Sequence, residues 1–181
     1  MEKWIVVGIG VFLFFIFVWF ISTHNKLKRL QVKVQEADSG IDVALTKRYD
    51  TLTKMYDVAK GYLKQEQTVI WEAIRLRQHM PVDEKAEAAR LMDEASRQLN
   101  LVAEAYPVLT SQALYMELQR AVADTEEHLQ AARRLFNANV SILNQLVVTF
   151  PNSVVAGLQG IKCQPMFAAE VSKRADVSLK S

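Results

Sequence analysis

The sequence predicts an all-α protein, an up-and-down helical bundle preceded by one transmembrane helix. Three observations predict it: an uncharged apolar run at the N-terminus, apolar residues at helical steps of three and four elsewhere, and few glycines and prolines, 6 and 4 in 181 residues. The chain is 50% hydrophobic but its mean hydropathy is only +0.02, so a polar, charge-rich remainder follows the apolar start. That remainder of about 155 residues is the size of one domain.

The N-terminal segment is predicted to be a membrane anchor. Eighteen consecutive uncharged residues run from Trp4 to Ile21, and at about 1.5 Å per residue they span about 27 Å, close to the hydrocarbon thickness of a bilayer. Trp4 and Trp19 stand near the two ends, where indole rings rest among lipid headgroups. No small-residue cleavage site follows, which argues against a cleaved signal peptide. We therefore assign residues 1–23 to a single transmembrane helix in membrane lipid.

Basic residues crowd the C-terminal flank of this anchor. They are Lys26, Lys28, Arg29 and Lys33. By the positive-inside rule they predict an inner, cytoplasmic membrane location with the N-terminus outside and the bundle domain in the cytoplasm. They are also candidate ligands for anionic lipid. A lysine-rich start to a solvent-exposed helix explains the same residues without a function.

An apolar stripe continues without proline from His24 to Met80. One helix of about 55 residues would be about 80 Å long, which is more than a bundle of this size needs. We therefore favour two helices with a break near Asp50, where Asp50 or Thr51 would serve as the N-cap, while a single helix remains the alternative.

Two further helices follow. The third begins at Asp83, a candidate N-cap, and stops at Pro107, and the last runs from Tyr115 to Phe150, where Pro151 ends it. Amphipathic helices of this length must bury their stripes on one another, which favours a four-helix up-and-down bundle.

The predicted organisation has three parts: the anchor, a bundle domain over residues 24–151, and an irregular C-terminal tail over residues 152–181 that packs on the bundle. The net charge of +2, from 22 basic and 20 acidic residues, gives no nucleic-acid-binding footprint, so we expect no nucleic acid partner. Cys163 is the single cysteine, so no disulfide within the chain is expected.

No motif with catalytic or metal-binding spacing occurs. The chain lacks the Glu-x-x-His pairs of di-iron bundles, the H-E-x-x-H motif of zinc proteases and a phosphate-binding loop. Three scattered histidines and Cys163 do not form a metal set. We therefore predict no catalytic residue, no cofactor, no metal and no enzymatic activity.

Five polar residues are candidates for a seam inside the bundle. They are Glu104, Glu126, Arg133, Asn137 and Asn144. Glu126 and Arg133, like the two asparagines, are seven residues apart and share a helical face. They would either line a small-ligand pocket or fix the packing of the helices through buried hydrogen bonds, and we favour the structural interpretation.

The chain resembles the LemA family of bacterial membrane proteins. The resemblance covers His24 to about Phe167 and includes the following stretches in order: HNKLKRLQVKVQEADSGIDVALTKRYDTL, VAKGYLKQE, EAYPVL and LQRAVADTEEHLQAARRLFNANVSILNQLVVTFP. It implies a four-helix bundle of bromodomain-like mirror topology. Many members have a proline where this chain has Thr53, and a tyrosine where it has Phe136 before Asn137 and Leu143 before Asn144. The resemblance transfers no catalytic residue.

The favoured functional hypothesis is a membrane-anchored scaffold or adaptor that binds a protein partner. The alternative is a protein that binds or organises anionic membranes directly, and a small-ligand binder or an enzyme is the third class. The partner and the oligomeric state do not follow from the sequence.

Overall fold

The computed structural model describes residues 1–62 and 80–167, and all regular elements within these two ranges are helical. The α-helices are α1 (Glu2–Ala59), α2 (Val82–Ala105), α3 (Pro107–Thr110), α4 (Ala113–Val148) and α5 (Asn152–Leu158), and a short 3-10 helix at Lys60–Tyr62 follows α1. The prediction of an all-α bundle is confirmed. The part of the predicted second helix that falls in residues 63–79 lies outside the described residues.

The predicted break near Asp50 is wrong, because α1 passes through this position as one helix of 58 residues. The Thr51 hydroxyl donates to the carbonyl of Lys47 at 2.8 Å, one turn back, and does not cap a new helix. Leu52 and Met55 are buried and extend the apolar stripe beyond Asp50. Packing of this stripe outweighs the modest local preference of Asp and Thr for a cap.

The helix α1 packs along α4 and also against α2. The helices α1 and α4 run antiparallel. The side chain of Asn139 donates to the carbonyl of Lys33 at 3.2 Å, whereas Glu126, earlier in α4, pairs with Arg48, later in α1. This pairing brings the C-terminal end of α4 to the end of the bundle at which the apolar segment of α1 joins it.

In contrast, α1 and α2 run parallel. Lys85 near the start of α2 pairs with Asp38, and Asp93 farther along pairs with Arg48, which is also farther along α1. Apolar side chains from α1, α2 and α4 form one core. Its fully buried members include Leu27, Ile41, Leu52, Met92, Leu99, Leu129 and Val140.

The boundaries of α2 follow the prolines at its two ends. Tyr106, before Pro107, has φ −128° and ψ 83°, so α2 ends at Ala105 and Pro107 begins the short α3. Asp83 lies in the first turn of α2, beside the positive end of the helix dipole, and Pro81 holds the cap position for which we predict Asp83.

The C-terminal tail folds back on the bundle and is helical over α5, where the sequence predicts an irregular segment. Gly160 ends α5 at φ 65°, a left-handed conformation that favours glycine. From Ile161 to Phe167 the chain has no regular secondary structure, and both of these side chains are buried against the core. Residues 168–181 lie outside the described part of the chain.

The N-terminal third of α1 projects beyond the bundle. Within the described ranges α1 is the helix that is long and apolar enough to cross a membrane by itself, and its most apolar window of 18 residues is 0% buried. The helices α4 and α5 meet the same criterion only as a pair bent by 95°. The apolar run and the first helix of the bundle are therefore one continuous element.

Candidate functional site

A buried arginine links α1, α2 and α4. Arg48 of α1 is only 3% exposed and contacts Asp93 of α2 and Glu126 of α4, the latter at 2.8 Å. Asp93 and Glu126 are 30% and 31% exposed, so the buried guanidinium depends on close contact with two carboxylates that water partly reaches. The three side chains therefore fix the relative positions of α1, α2 and α4.

A buried lysine links α2 to α1 one helical turn after the start of α2. Lys85 is 0% exposed, and its ammonium group lies 2.6 Å from Asp38 and 2.8 Å from Asp42. The two carboxylates are four residues apart and so share one face of α1. This cluster and the Arg48 cluster fix the packing of α1 and α2 at two levels.

Two asparagines of α4 bind the backbone of the tail. Asn137 accepts from the amide of Phe167 at 2.7 Å and donates to its carbonyl at 2.9 Å. Asn144 makes the same two bonds to Gln164, both at 2.8 Å. Asn137 and Asn144 are seven helical residues apart, a rise of about 10.5 Å. Three extended residues, the separation of Gln164 and Phe167 in the tail, span nearly the same distance, so both asparagines can bind the tail at once.

The tail also places an aromatic ring beneath a charge. The guanidinium of Arg133 lies 4.5 Å from the centre of the Phe167 ring, within the range of a cation–π contact. Phe167 itself is 3% exposed. Arg133, Asn137 and Asn144 thus lie together along the tail, whereas Glu126 belongs to the Arg48 cluster and Glu104 is exposed on α2. The five residues of the predicted seam do not form one site.

The basic flank of the apolar segment lines a cavity. Lys26, Arg29 and Lys33 occur at helical steps on one face of α1 and border a volume of about 470 Å³. Ser22, Asn25, Leu30 and Ile142 complete its lining. Lys28 lies on another face of α1 and does not line it. The structure thus brings together three of the four predicted basic residues, next to the end of the apolar run.

A buried tyrosine joins α4 to α2. The hydroxyl of Tyr115 donates to the carbonyl of Leu99 at 3.1 Å, and burial raises the pKa of Tyr115 to about 12. On the surface of α2, hydrogen bonds from Arg90 and Arg97 lower the pKa values of Glu87 and Glu94 respectively. These groups hold helices together or lie on a solvated face.

No set of three His, Cys, Asp or Glu side chains in residues 1–62 and 80–167 is placed to hold a metal ion. Within these ranges the buried cations Arg48 and Lys85 each contact two partly exposed carboxylates. The sequence predicts no functional role for Arg48, Lys85, Asp38 or Asp42. The position of Arg48 is nevertheless visible in the sequence, because this residue interrupts the stripe between Leu45 and Leu52 at steps of three and four.

The comparison with known proteins bears on the whole chain. The model of the LemA family matches residues 37–180, which include the buried ion clusters, both asparagines and the tail they hold. The chain belongs to the LemA family. It is similar to Protein LemA of Metamycoplasma hominis, with 27% identity over 177 residues that cover 95% of this chain and 79% of the relative. The resemblance seen in the sequence is confirmed.

Proposed function

We propose that this LemA family protein is a membrane-anchored scaffold, not an enzyme, and that it binds a helical segment of a partner protein. Residues 4–21 anchor the chain in the lipid, and α1 carries the bundle on the same continuous helix. The basic flank of the anchor supports a cytoplasmic bundle in the inner membrane. Tethering raises the concentration of bound partners at the membrane surface.

The observation that carries the scaffold proposal is an exposed apolar stripe on α4. The stripe consists of Ala131, Leu135, Ala138 and Ile142, all exposed, and Ile142 also borders the basic cavity beside α1. Leu135 and Ile142 are 58% and 46% exposed. Steps of four, three and four are those of a coiled-coil seam, and the small alanines allow a second helix to approach closely. An amphipathic helix of a partner is therefore the complementary surface.

The experiment compares two single variants of the full chain in living cells by proximity labelling. Leu135→Glu places a charge in the stripe, whereas Val43→Glu places the same charge at a position of α1 that is 69% exposed and outside it. A chain consisting of residues 1–23 corrects for labelling due to the membrane alone. We expect proteins enriched by the wild-type and Val43→Glu chains to be lost from the Leu135→Glu chain.

Two results would refute the scaffold. If the Leu135→Glu chain enriched the same proteins as the wild-type chain, the stripe would bind none of them. Conversion of a dimer to a monomer by Leu135→Glu, measured by sedimentation in detergent with no other protein lost, would show that a second copy covers the stripe.

A second function, binding of anionic lipid, is favoured by the basic cavity at the end of the anchor. Lys26, Arg29 and Lys33 border this cavity, and each basic residue near an anionic leaflet contributes about 1 kcal/mol. Native mass spectrometry of the full chain with phosphatidylglycerol and phosphatidylcholine tests this. Replacing the three residues by Gln should abolish the preference for phosphatidylglycerol, and Lys28→Gln should retain it. Equal retention of both lipids by the wild-type chain would refute this function.

A further inference from the structure

The end of the bundle that carries α5 lies level with the end of the apolar run of α1. Asn139 of α4 contacts Lys33 of α1. Val148 is nine residues beyond Asn139, and His24 is nine residues before Lys33, so these two residues of the antiparallel pair share one level. Ile21, the last residue of the apolar run, is only about 4.5 Å farther along the axis. The turn into α5 is therefore at the level of the lipid headgroups if residues 4–21 span the membrane.

An apolar surface, which we call the foot patch, covers the outer side of this turn and of α5. It consists of Phe150, Val154 and Leu158, which are 79%, 53% and 74% exposed. The opposite side of α5 is buried through Val155 and Ala156. Three neighbouring apolar side chains that are more than half exposed are unusual on a surface that faces water, and no described residue covers them.

The direction and charge of α5 fit a membrane surface. Because α5 bends by 95° from α4, it lies across the bundle axis, as a helix in the plane of an interface does. The sequence of α5, NSVVAGL, carries no charge, while Lys26 and Arg29 lie one to two turns from the end of the apolar run. Apolar side chains directed to lipid beside cations at headgroup level are the pattern of an interfacial helix.

We propose that the foot patch inserts into the leaflet in which α1 ends, so that the bundle has a second attachment to the membrane. The proposal rests on the anchoring of α1 set out above. A single spanning helix leaves the bundle free to rotate about its axis, and a second contact removes that freedom. The attachment would therefore fix which side of the bundle, including the α4 stripe, faces other membrane-bound proteins.

The experiment measures the depth of nitroxide labels on the full chain in vesicles of phosphatidylcholine and phosphatidylglycerol. Cys163→Ser removes the native thiol, and single cysteines then replace Val154 or Leu158 in the foot patch. Val11, 51% exposed in the apolar run, reports the anchor, and Val108, 63% exposed in α3 near the other end of the bundle, is the matched aqueous control. The relaxation of each label is measured once with oxygen, which is enriched in lipid, and once with a water-soluble nickel complex.

We expect the labels at positions 154 and 158 to favour oxygen and to lie about 5–10 Å within the headgroup and acyl boundary. The label at 11 should lie deeper, and the label at 108 should favour nickel. Nickel accessibility at 154 and 158 equal to that at 108, with 11 still in lipid, would overturn the foot patch alone. Nickel accessibility at 11 would overturn the anchor and this proposal together. Protection of 154 and 158 from both reagents would mean that a protein covers the patch, and would also overturn it.

Discussion

The ammonium group of Lys85 lies 2.6 Å from a carboxylate oxygen of Asp38, and this contact joins α2 to α1 across 47 residues of sequence. Lys85 is 0% exposed, whereas Asp38 is 37% exposed. The two partners therefore differ in what their removal leaves behind. Loss of the lysine leaves two carboxylates that water reaches, but loss of the carboxylates leaves a buried ammonium without a counter-ion.

This asymmetry predicts unequal effects on stability. The double change Asp38→Asn and Asp42→Asn should lower the free energy of unfolding by about 3 kcal/mol, because it removes both anions facing Lys85. Lys85→Met, which fills the same space with an apolar chain, should cost less than about 1.5 kcal/mol. Urea unfolding of the full chain in detergent, followed by circular dichroism, measures both. Equal losses would show that Lys85 does not depend on these carboxylates.

The asparagine pairs predict that the tail can be loosened without unfolding the bundle. Asn137→Ala removes two hydrogen bonds to Phe167, and Asn144→Ala removes two to Gln164. At about 1 kcal/mol for each bond, amide hydrogen exchange over residues 161–167 should accelerate about tenfold or more. Asn139→Ala, on the same helix but bonded to α1, should leave that segment unchanged. Equal acceleration in all three variants would contradict a specific role for the two asparagines.

Tyr115 predicts a loss of stability in alkali. The hydroxyl has a pKa near 10 when unfolded and about 12 when folded, so the unfolded chain releases this proton first. The contribution is fully present below pH 10 and is lost as the pH rises through 12, by about 2–3 kcal/mol. Tyr115→Phe lacks this group, so its free energy of unfolding should fall less between pH 9.5 and about 12 than that of the wild type. Parallel curves for the two proteins would rule out the burial of this hydroxyl.

The orientation of the bundle can be read from the native thiol. Cys163 is exposed in the tail and is the single cysteine of the chain. A cytoplasmic bundle predicts that a membrane-impermeant maleimide leaves Cys163 unmodified in intact spheroplasts and modifies it after permeabilisation. Cys163→Ser is the control for other labelled sites. Modification in intact spheroplasts would place the bundle outside.

The sequence was most informative where one segment decides its own structure. The uncharged run from Trp4 to Ile21 and the regular apolar stripe of α4 each predict a helix from local sequence alone. Pro107 ends α2 by a local steric effect. The resemblance to the LemA family is likewise visible in contiguous stretches of the sequence. The predicted break near Asp50 is wrong because the preference of Asp for an N-cap is small. In addition, Thr53 occupies a position at which a proline would have ended the helix. Thr53 instead donates to the carbonyl of Tyr49, one turn back.

The candidate sites were predicted less completely because their partners are distant in sequence. Arg48 meets Asp93 after 45 residues, and no local pattern reveals such a pair. The sequence predicts a polar role for the two asparagines but not their partners, because these are backbone atoms of the tail and do not affect side-chain periodicity. Lys28 is close to the other three basic residues in sequence, but its angular position on α1 separates it from the cavity that they border.

The proposed scaffold and the proposed foot patch both require that residues 4–21 hold this protein in the membrane. Extraction of membranes with alkaline carbonate tests it directly. We expect the full chain to remain in the membrane pellet, and a Phe12→Asp and Phe15→Asp variant to appear in the supernatant, since each Asp near the centre of a spanning helix costs about 2.5–3.5 kcal/mol. Release of the wild-type chain into the supernatant would contradict the account.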